Sequence, residues 1–203
     1  MAAGSDEERA QQGADLNEAI TKGDRAKVLS LLSEGVSVHQ PDFFRQLPMF
    51  VAARDGRADM IGLLVERGVD VNAAVQGGRG PLFHAASRGQ AEAVRLLIAR
   101  GAAVNAIDAY GQTPLLTAAL SLANEALNVR EPARWRESQQ RTPQGNAAVV
   151  EVLVLAGADV DYSHKGAYPA RHFIREVGIP RLIALMPKTS AKPSFLGGLF
   201  GKR

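Results

Sequence analysis

Histidines are the residues of this sequence best suited to acid–base or metal chemistry, because the chain contains no cysteine. Without cysteine, disulfides and thiolate metal sites are excluded. The four histidines are His39, His84, His164 and His172, and they share no spacing typical of metal ligands. The histidines therefore predict no metal site.

Motifs that carry catalysis are also missing. The sequence has no His-Glu-x-x-His segment and no Gly-x-Ser-x-Gly segment. GLFGKR near the end lacks the spacing and the Ser or Thr of a phosphate-binding loop. We therefore expect no catalytic residues, no cofactor and no enzymatic activity.

Glycine and proline recur with a fixed period. A spacing of 33 residues relates the members of two sets: Gly35, Gly68 and Gly101, and Pro48, Pro81 and Pro114. Four further glycines each stand 12 residues before a second glycine: Gly23 before Gly35, Gly56 before Gly68, Gly89 before Gly101, and Gly145 before Gly157. A period of this length predicts an array of small structural repeats.

Each part of the repeat has a structural role. Thr113 can cap a helix through its hydroxyl, and Pro114 suits the first helical position because its missing N–H would have no partner there. Gly56 and Gly89 can end that helix in a left-handed conformation. A second helix follows, as in AEAVRLLIARG, with apolar residues three and four apart. Pairs of alanines would let the first helices approach closely: Ala52–Ala53, Ala85–Ala86 and Ala118–Ala119.

These features resemble the ankyrin-repeat family, whose first helix carries TPLH-x-AA and whose second half carries V-x-x-LL-x-x-GA. TPLLTAA at 113–119 is the closest copy. The family's histidine position holds Phe50, Phe83 and Leu116, so we expect an apolar contact to replace its hydrogen bond. The resemblance covers about residues 14–186 and implies an all-α repeat solenoid, an ankyrin array of helix–turn–helix units with β-hairpin-like fingers.

The period divides the chain into about five units between two tails. The units span about 15–40, 41–73, 74–106, 107–162 and 163–186, and the first and last are degenerate caps. Residues 1–13 are acidic, and we expect them to be disordered. Residues 187–203 form a basic and apolar C-terminal tail.

The fourth unit contains an insertion at 121–144. We expect its first helix to continue to about Asn128, PARWRESQQ to form a short helix, and Pro143 to open the unit's second helix. Trp135 lies in this insertion among several arginines. Trp135 could contact a partner, since Trp and Arg are favoured in interfaces, or it could anchor the insertion against the last helices.

Ankyrin-like proteins usually bind through finger tips and the concave face of the inner helices. Phe43, Phe44 and Arg45 fall in the first finger, Arg79 in a flexible QGGRG tip and Tyr110 in the next finger. An exposed aromatic pair would be a good anchor for a partner. The alternatives are that a phenylalanine covers the apolar edge of the first unit, and that the others are solvated surface residues.

The concave face offers Arg54, His84 and Arg88. These side chains could meet a carboxylate of a partner, and the alternative is a solvated surface, with His84 exposed.

The C-terminal segment SFLGGLFGKR places Phe195 and Phe200 beside two basic residues. It could insert into a partner groove, make a weak membrane contact or fold back over the last repeat.

Composition and charge narrow the function further. The formal net charge is +3, and the central region carries no basic stripe of the kind that tracks nucleic acid. No apolar run is long enough to span a membrane. We therefore expect a cytoplasmic, monomeric, non-enzymatic adaptor or regulator that binds another protein. The alternatives are a stoichiometric inhibitor or immunity-type protector of an enzyme, and a membrane-proximal scaffold recruited through the tail.

Overall fold

The computed structural model describes residues 5–75, 77–127, 143–165 and 167–187, and within these ranges the regular structure is helical. The helices, numbered in chain order, are α1 (Asp6–Lys22), α2 (Arg25–Ser33), α3 (Pro48–Arg54), α4 (Ala58–Glu66), α5 (Pro81–Ser87), α6 (Ala91–Ala99), α7 (Pro114–Leu127), α8 (Pro143–Leu155), α9 (Ala170–Val177) and α10 (Pro180–Leu185).

Successive helix pairs stack side by side in two layers. The inner layer contains the odd-numbered helices, each of which packs against the next odd-numbered one. The outer layer contains the even-numbered helices, and α4, α6, α8 and α10 pack in that order. Four extended segments join the pairs: finger 1 (36–47), finger 2 (69–80), finger 3 (102–113) and finger 4 (158–169). The all-α repeat solenoid expected from the sequence is confirmed.

Local sequence determines where the helices begin and end. Pro48, Pro81 and Pro114 each open an inner helix. The hydroxyl of Thr113 accepts a hydrogen bond from the N–H of Leu116 at 3.1 Å, so the predicted cap is confirmed. Gly89 follows α5 with φ of 72°, a left-handed conformation that a residue with a Cβ adopts at a cost.

Small and apolar side chains fill the space between the layers. All three predicted alanine pairs are fully buried, which lets neighbouring inner helices approach closely. Phe50, Phe83 and Leu116 are buried as well, so the expected apolar contact does replace the histidine of the family pattern. Burial of this apolar surface is the main favourable term in the stability of such an array.

Asparagines connect fingers 2 and 3 to the outer helix of the following pair. The Asn72 side chain donates to the Gly101 carbonyl at 3.0 Å and accepts from the Ala103 N–H at 2.8 Å. Asn105 makes the same two bonds with Gly157 and Asp159. These bonds satisfy backbone groups at helix ends that would otherwise lack partners.

The N-terminal segment differs from the sequence-based expectation of disorder over residues 1–13. Helix α1 begins at Asp6, where the Ser5 hydroxyl accepts from the Glu8 N–H and the Glu8 carboxylate accepts from the Ser5 N–H. The acidic first turn stabilises the positive end of the helix dipole. Gly13 packs so closely on finger 1 that an added Cβ would overlap the carbonyl oxygen of Pro41. The expectation of disorder is therefore wrong from Ser5 onward.

The fourth unit and the C-terminal end agree with the helix signals in the sequence. Helix α7 continues to Leu127, α8 begins at Pro143 and α10 ends at Leu185. The predicted short helix PARWRESQQ, with Trp135, lies outside the described residues, as do Phe195 and Phe200. Among the helices that are described, none has the length and apolar character needed to cross a bilayer.

Candidate functional site: the finger rim

Each finger reverses direction in a four-residue turn, which we call its tip. The tips are 42–45, 75–78, 108–111 and 164–167, and each is closed by a bond from the fourth N–H to the first carbonyl oxygen. These N···O distances are 2.9 Å in fingers 1, 2 and 4 and 3.0 Å in finger 3. Fingers 1 and 3, all of whose tip residues are described, therefore present their second and third tip residues in equivalent positions.

Aspartates hold the tips of fingers 1 and 3 in the same way. One oxygen of Asp42 accepts the N–H groups of Phe44 and Gln46, both at 2.8 Å. One oxygen of Asp108 accepts those of Tyr110 at 2.9 Å and Gln112 at 2.8 Å. Aspartate favours such turns because its side chain can replace a backbone acceptor. Both aromatic residues are therefore presented by an ordered backbone.

A side chain from the preceding repeat completes each of these tips. The Asn17 amide of α1 donates to the second oxygen of Asp42 at 3.0 Å. The guanidinium of Arg79 donates to the second oxygen of Asp108 at 2.8 Å and to Gln112 at 2.6 Å. The alternative that Arg79 is only a solvated surface residue is therefore wrong, because the buried carboxylate of Asp108 in the next finger holds its side chain.

Hydrogen bonds outweigh burial at Asp108. Burial alone would raise the pKa of its carboxyl, but donation from Gln112, Arg79 and Tyr110 lowers the pKa below its ordinary value. Asp108 therefore stays ionised and keeps Arg79 engaged.

The tips of fingers 2, 3 and 4 touch in sequence. The Ala109 N–H donates to the Gly77 carbonyl at 2.9 Å, which joins the tips of fingers 2 and 3. The ring of His164 in finger 4 lies against Gly111 in finger 3. We call the surface formed by the four tips the finger rim.

Exposed apolar side chains are concentrated in the fingers. Phe44 is 82% exposed and Tyr110 is 73% exposed. Among the described residues, seven large apolar side chains are exposed, and five of these lie in the fingers: Phe43, Phe44, Ile107, Tyr110 and Tyr168. The other two, Leu155 and Ile183, lie on outer helices.

Comparison with known families agrees with this architecture. A family model described as "Ankyrin repeats (3 copies)" matches residues 16–108 and 74–129, which together cover more than half of the chain. The chain belongs to the ankyrin-repeat family. A search of curated proteins found no significant match to this ankyrin-repeat protein.

The concave face of this ankyrin array differs from the rim because its charged side chains are engaged within the fold. Arg54 donates to both oxygens of Asp55, at 2.8 and 3.1 Å, and to Gln46 at 2.5 Å. Thr21 of α1 donates to the same Asp55 carboxylate at 2.8 Å. Arg88 is half-buried on the same face. A partner carboxylate would have to compete with Asp55 for Arg54.

His84 is not the exposed residue of the concave face that the sequence suggested. Its ring packs edge-on against Phe50, with centroids 5.1 Å apart. Its Nε2 atom is buried and has no hydrogen-bond partner among the described residues. Burial, together with the charges of Arg79, Arg54 and Arg88, lowers the pKa of His84 to about 4. The ring is therefore neutral at pH 7 and serves the packing of the ankyrin repeats.

Sequence reasoning overlooked the residues that organise the rim. Asp42 and Asp108 each stand six residues before the proline that opens the next inner helix, and this spacing was the available signal. Within the residues described, no group of three or more His, Asp and Glu side chains is arranged to hold a metal ion.

Proposed function

We propose that this ankyrin-repeat protein is a non-enzymatic adaptor or regulator that binds one protein partner through its finger rim. The main support for this proposal is that five of the seven exposed large apolar side chains in the described part of the chain lie in the fingers. Leaving such groups in water is unfavourable, and aromatic residues dominate the energetics of protein interfaces. Ankyrin repeats are, as a family, protein–protein interaction modules.

Order in the rim supports this proposal. Phe44 and Tyr110 are attached to turns that the Asp42 and Asp108 carboxylates hold in place. A binding surface that is already ordered loses less conformational entropy when a partner docks. By contrast, the Arg54 guanidinium on the concave face already has partners within the fold. The rim is therefore the primary contact, and the concave face is the flank of the same site.

Substitutions in the full-length chain test the proposal. Binding to the partner recovered from a native extract should fall at least tenfold in Phe44→Ser/Tyr110→Ser. Binding should remain unchanged in Leu155→Ser, which removes an apolar side chain that is 67% exposed from an outer helix. Equal loss in both variants, or no loss in the rim variant, would count against the rim.

The inhibitor and membrane alternatives predict other results. A stoichiometric inhibitor would co-purify with an enzyme whose turnover returns when Phe44→Ser/Tyr110→Ser releases it. A membrane-proximal scaffold would sediment with anionic liposomes in a manner that depends on Phe195 and Phe200. Trp135→Ala tests in the same way whether the insertion contributes to partner binding. The adaptor proposal includes the cytoplasmic location and the monomeric state that we expect from the sequence.

A further inference from the structure

We infer that residues 188–199, which lie outside the described residues, dock beyond finger 4 as a fifth finger, and that Phe200 follows them onto the last inner helix. The surface that receives them consists of the aromatic residues of the last repeat: Tyr168, His172 and Phe173. Three observations point to this segment: the uncovered surface of that repeat, the place at which the described chain leaves the fold, and the sequence of the segment itself. The inference goes beyond the proposed function.

An aromatic surface of the last repeat has no covering element among the described residues. Tyr168 is 64% exposed, and its ring stacks on His172 with centroids 4.2 Å apart. His172 lies edge-on to Phe173 with centroids 5.3 Å apart. His172 is half-buried, whereas the residues at its position in the earlier inner helices are buried: Phe50, Phe83 and Leu116. In a stacked array each repeat is covered by the next, so this surface has the form of one that a further element completes.

Tyr168 occupies a finger position that faces the following finger. It is the second-last residue of finger 4, as Arg79 is of finger 2. The Arg79 side chain donates to Asp108 and Gln112 of the next finger at 2.8 and 2.6 Å. By this equivalence the Tyr168 ring faces the space in which a fifth finger would lie.

The described chain leaves the last outer helix beside finger 4. Pro187 stands two residues after α10 ends, as Gly101 stands after α6 and Gly157 after α8. The carbonyls of both glycines accept a bond from an asparagine of the preceding finger. The Pro187 carbonyl accepts instead from Arg171 at 2.8 Å, and the same guanidinium group donates to Asp161 of finger 4 at 2.9 Å. The segment therefore starts from the place at which the other fingers start.

Proline changes the turn at this point but keeps the anchor. Gly101 and Gly157 have φ of 90° and 84°, which the proline ring does not allow. Met186 is extended instead, with φ of −70° and ψ of 135°. A guanidinium group reaches farther than an asparagine amide, so Arg171 can hold the Pro187 carbonyl despite the different turn. The chain after Pro187 consequently begins against finger 4.

Residues 188–199 also have the length and the sequence pattern of a finger. Each described finger has 12 residues between the residue that closes an outer helix and the first residue of the next inner helix. In this register KPSFLGGL at 192–199 aligns without a gap with QPDFFRQL at 40–47 of finger 1. A proline, a phenylalanine and a leucine are identical in the two segments.

The aligned tip has the residues that such a turn needs. Ser194 takes the position of Asp42, and a serine hydroxyl can accept turn N–H groups as an aspartate does. Gly197 takes the position of Gly111, which has φ of 74°. Glycine adopts this left-handed conformation without strain. The segment can therefore close a four-residue tip of the same kind.

The alignment separates the side chains that dock from those that face solvent. Leu196 takes the position of Phe44 and Tyr110, which are exposed at their tips. Phe200 takes the position that directly follows each finger, and the residues there are buried: Pro48, Pro81, Pro114 and Ala170. Residues 193–201 contain no charged side chain, so apolar burial and not charge drives the docking. Phe200 is therefore the anchor, and Leu196 adds a fifth tip to the finger rim.

Hydrogen exchange of the full-length chain, read by mass spectrometry, tests this docking. Amides of finger 4 and α9 should exchange about tenfold faster in Phe200→Ser than in the unmodified protein, because the aromatic surface loses its cover. Leu196→Ser is the matched control: it removes an apolar side chain from the same segment and should leave these rates unchanged. Finger 1 should exchange at the same rate in all three proteins.

A substitution on the receiving surface provides the reciprocal measurement. Amides of residues 194–199 should exchange more slowly than those of an unfolded chain, and Tyr168→Ser should remove this protection. Arg95→Ser on outer helix α6 is the control and should not. Circular dichroism checks that each variant keeps its helices.

Other occupants of the surface give different results. Equal effects of Leu196→Ser and Phe200→Ser, or no protection of 194–199, would overturn the inference. Loss of finger 4 protection in Trp135→Ala in place of Phe200→Ser would assign the cover to the insertion and also overturn it. So would protection that disappears on dilution, which indicates a second copy of the chain, or that requires added liposomes. The proposed function depends on other residues, Phe44 and Tyr110, and would stand in each case.

Discussion

The imidazole ring of His164 lies against the backbone of Gly111, and this contact joins the tips of fingers 3 and 4. Gly111 has φ of 74°, and a Cβ added there would overlap the His164 ring. Glycine is therefore required at this position for two independent reasons, the backbone conformation and the close approach of the neighbouring finger. Contacts of this kind between consecutive tips join fingers 2, 3 and 4.

Gly111→Ala should consequently be much more damaging than an alanine at another glycine of positive φ. We expect the free energy of unfolding to fall by about 3 kcal/mol, because strain and steric overlap add. Gly35→Ala is the matched control, since Gly35 has φ of 97° and open space around it, and it should cost about 1 kcal/mol. Urea unfolding of both variants measures the difference, and equal losses would show that the His164 contact is unimportant.

His39→Asn should stabilise the array. His39 occupies the position of Asn72 and Asn105, but its side chain makes no equivalent bond to the next helix pair among the described residues. Asparagine could donate to the Gly68 carbonyl and accept the Asp70 N–H, a gain of about 1 kcal/mol. Asn72→Ala should lose a similar amount. Thermal unfolding of the two variants tests the pair, and a destabilised His39→Asn protein would contradict it.

Arg45→Gly should raise stability while weakening partner binding. A residue with a Cβ in the left-handed region costs about 1–2 kcal/mol, and glycine removes this strain but loses about 0.4–1 kcal/mol through the unfolded chain. We therefore expect a net gain of about 0.5–1 kcal/mol in chemical unfolding. Phe44→Gly in the same turn relieves no strain and should show no gain. If Arg45→Gly is less stable than the unmodified protein, Arg45 is not strained.

His84 should make the protein less stable in mild acid. The folded pKa of about 4 lies below the ordinary value of 6.5, so as the pH falls below 6.5 the unfolded chain binds a proton that the folded chain excludes. This contribution to stability is complete above pH 6.5 and lost as the pH falls towards 4. The substitution His84→Val introduces the residue found at the equivalent position of the preceding repeat, Val51, and removes this pH-dependent loss of stability.

Urea unfolding at pH 7.5 and pH 5 provides the measurement. Between these values the unmodified protein should lose about 2 kcal/mol more than His84→Val. Carboxylates titrate in both proteins, so their contribution cancels in the difference. Parallel pH profiles for the two proteins would show that His84 is accessible to protons in the folded state.

Much of the fold could be predicted because its signals are local in sequence. Pro48, Pro81 and Pro114 open helices and Thr113 caps one, and each of these choices involves only neighbouring backbone groups. The 33-residue period then implies stacking, because no single helix pair can bury its apolar surface alone. The N-terminal helix carried a local signal as well, in the Ser5–Glu8 capping box, although its acidic composition suggested disorder.

The environment of each candidate site residue could not be predicted in the same way. Arg79 and Asp108 are 29 residues apart, and their ion pair depends on how consecutive fingers align. His84 stands in a helix whose periodicity does not determine how much of its ring Phe50 covers. By contrast, exposure of Phe43 and Phe44 follows from their place in a turn. Contacts between repeats require the three-dimensional arrangement, whereas helix ends do not.

Single-cysteine photocrosslinking tests the central claim most directly, since the chain has no cysteine and one introduced thiol marks one position. A benzophenone attached at Phe44→Cys or Tyr110→Cys reports contacts of the rim. The same group at Glu66→Cys or Ala99→Cys, both exposed on outer helices, provides the control. In a native extract, the two rim positions should crosslink to the same protein and the two outer positions should not. Crosslinking of a partner from the outer helices, with none from the rim, would contradict this account.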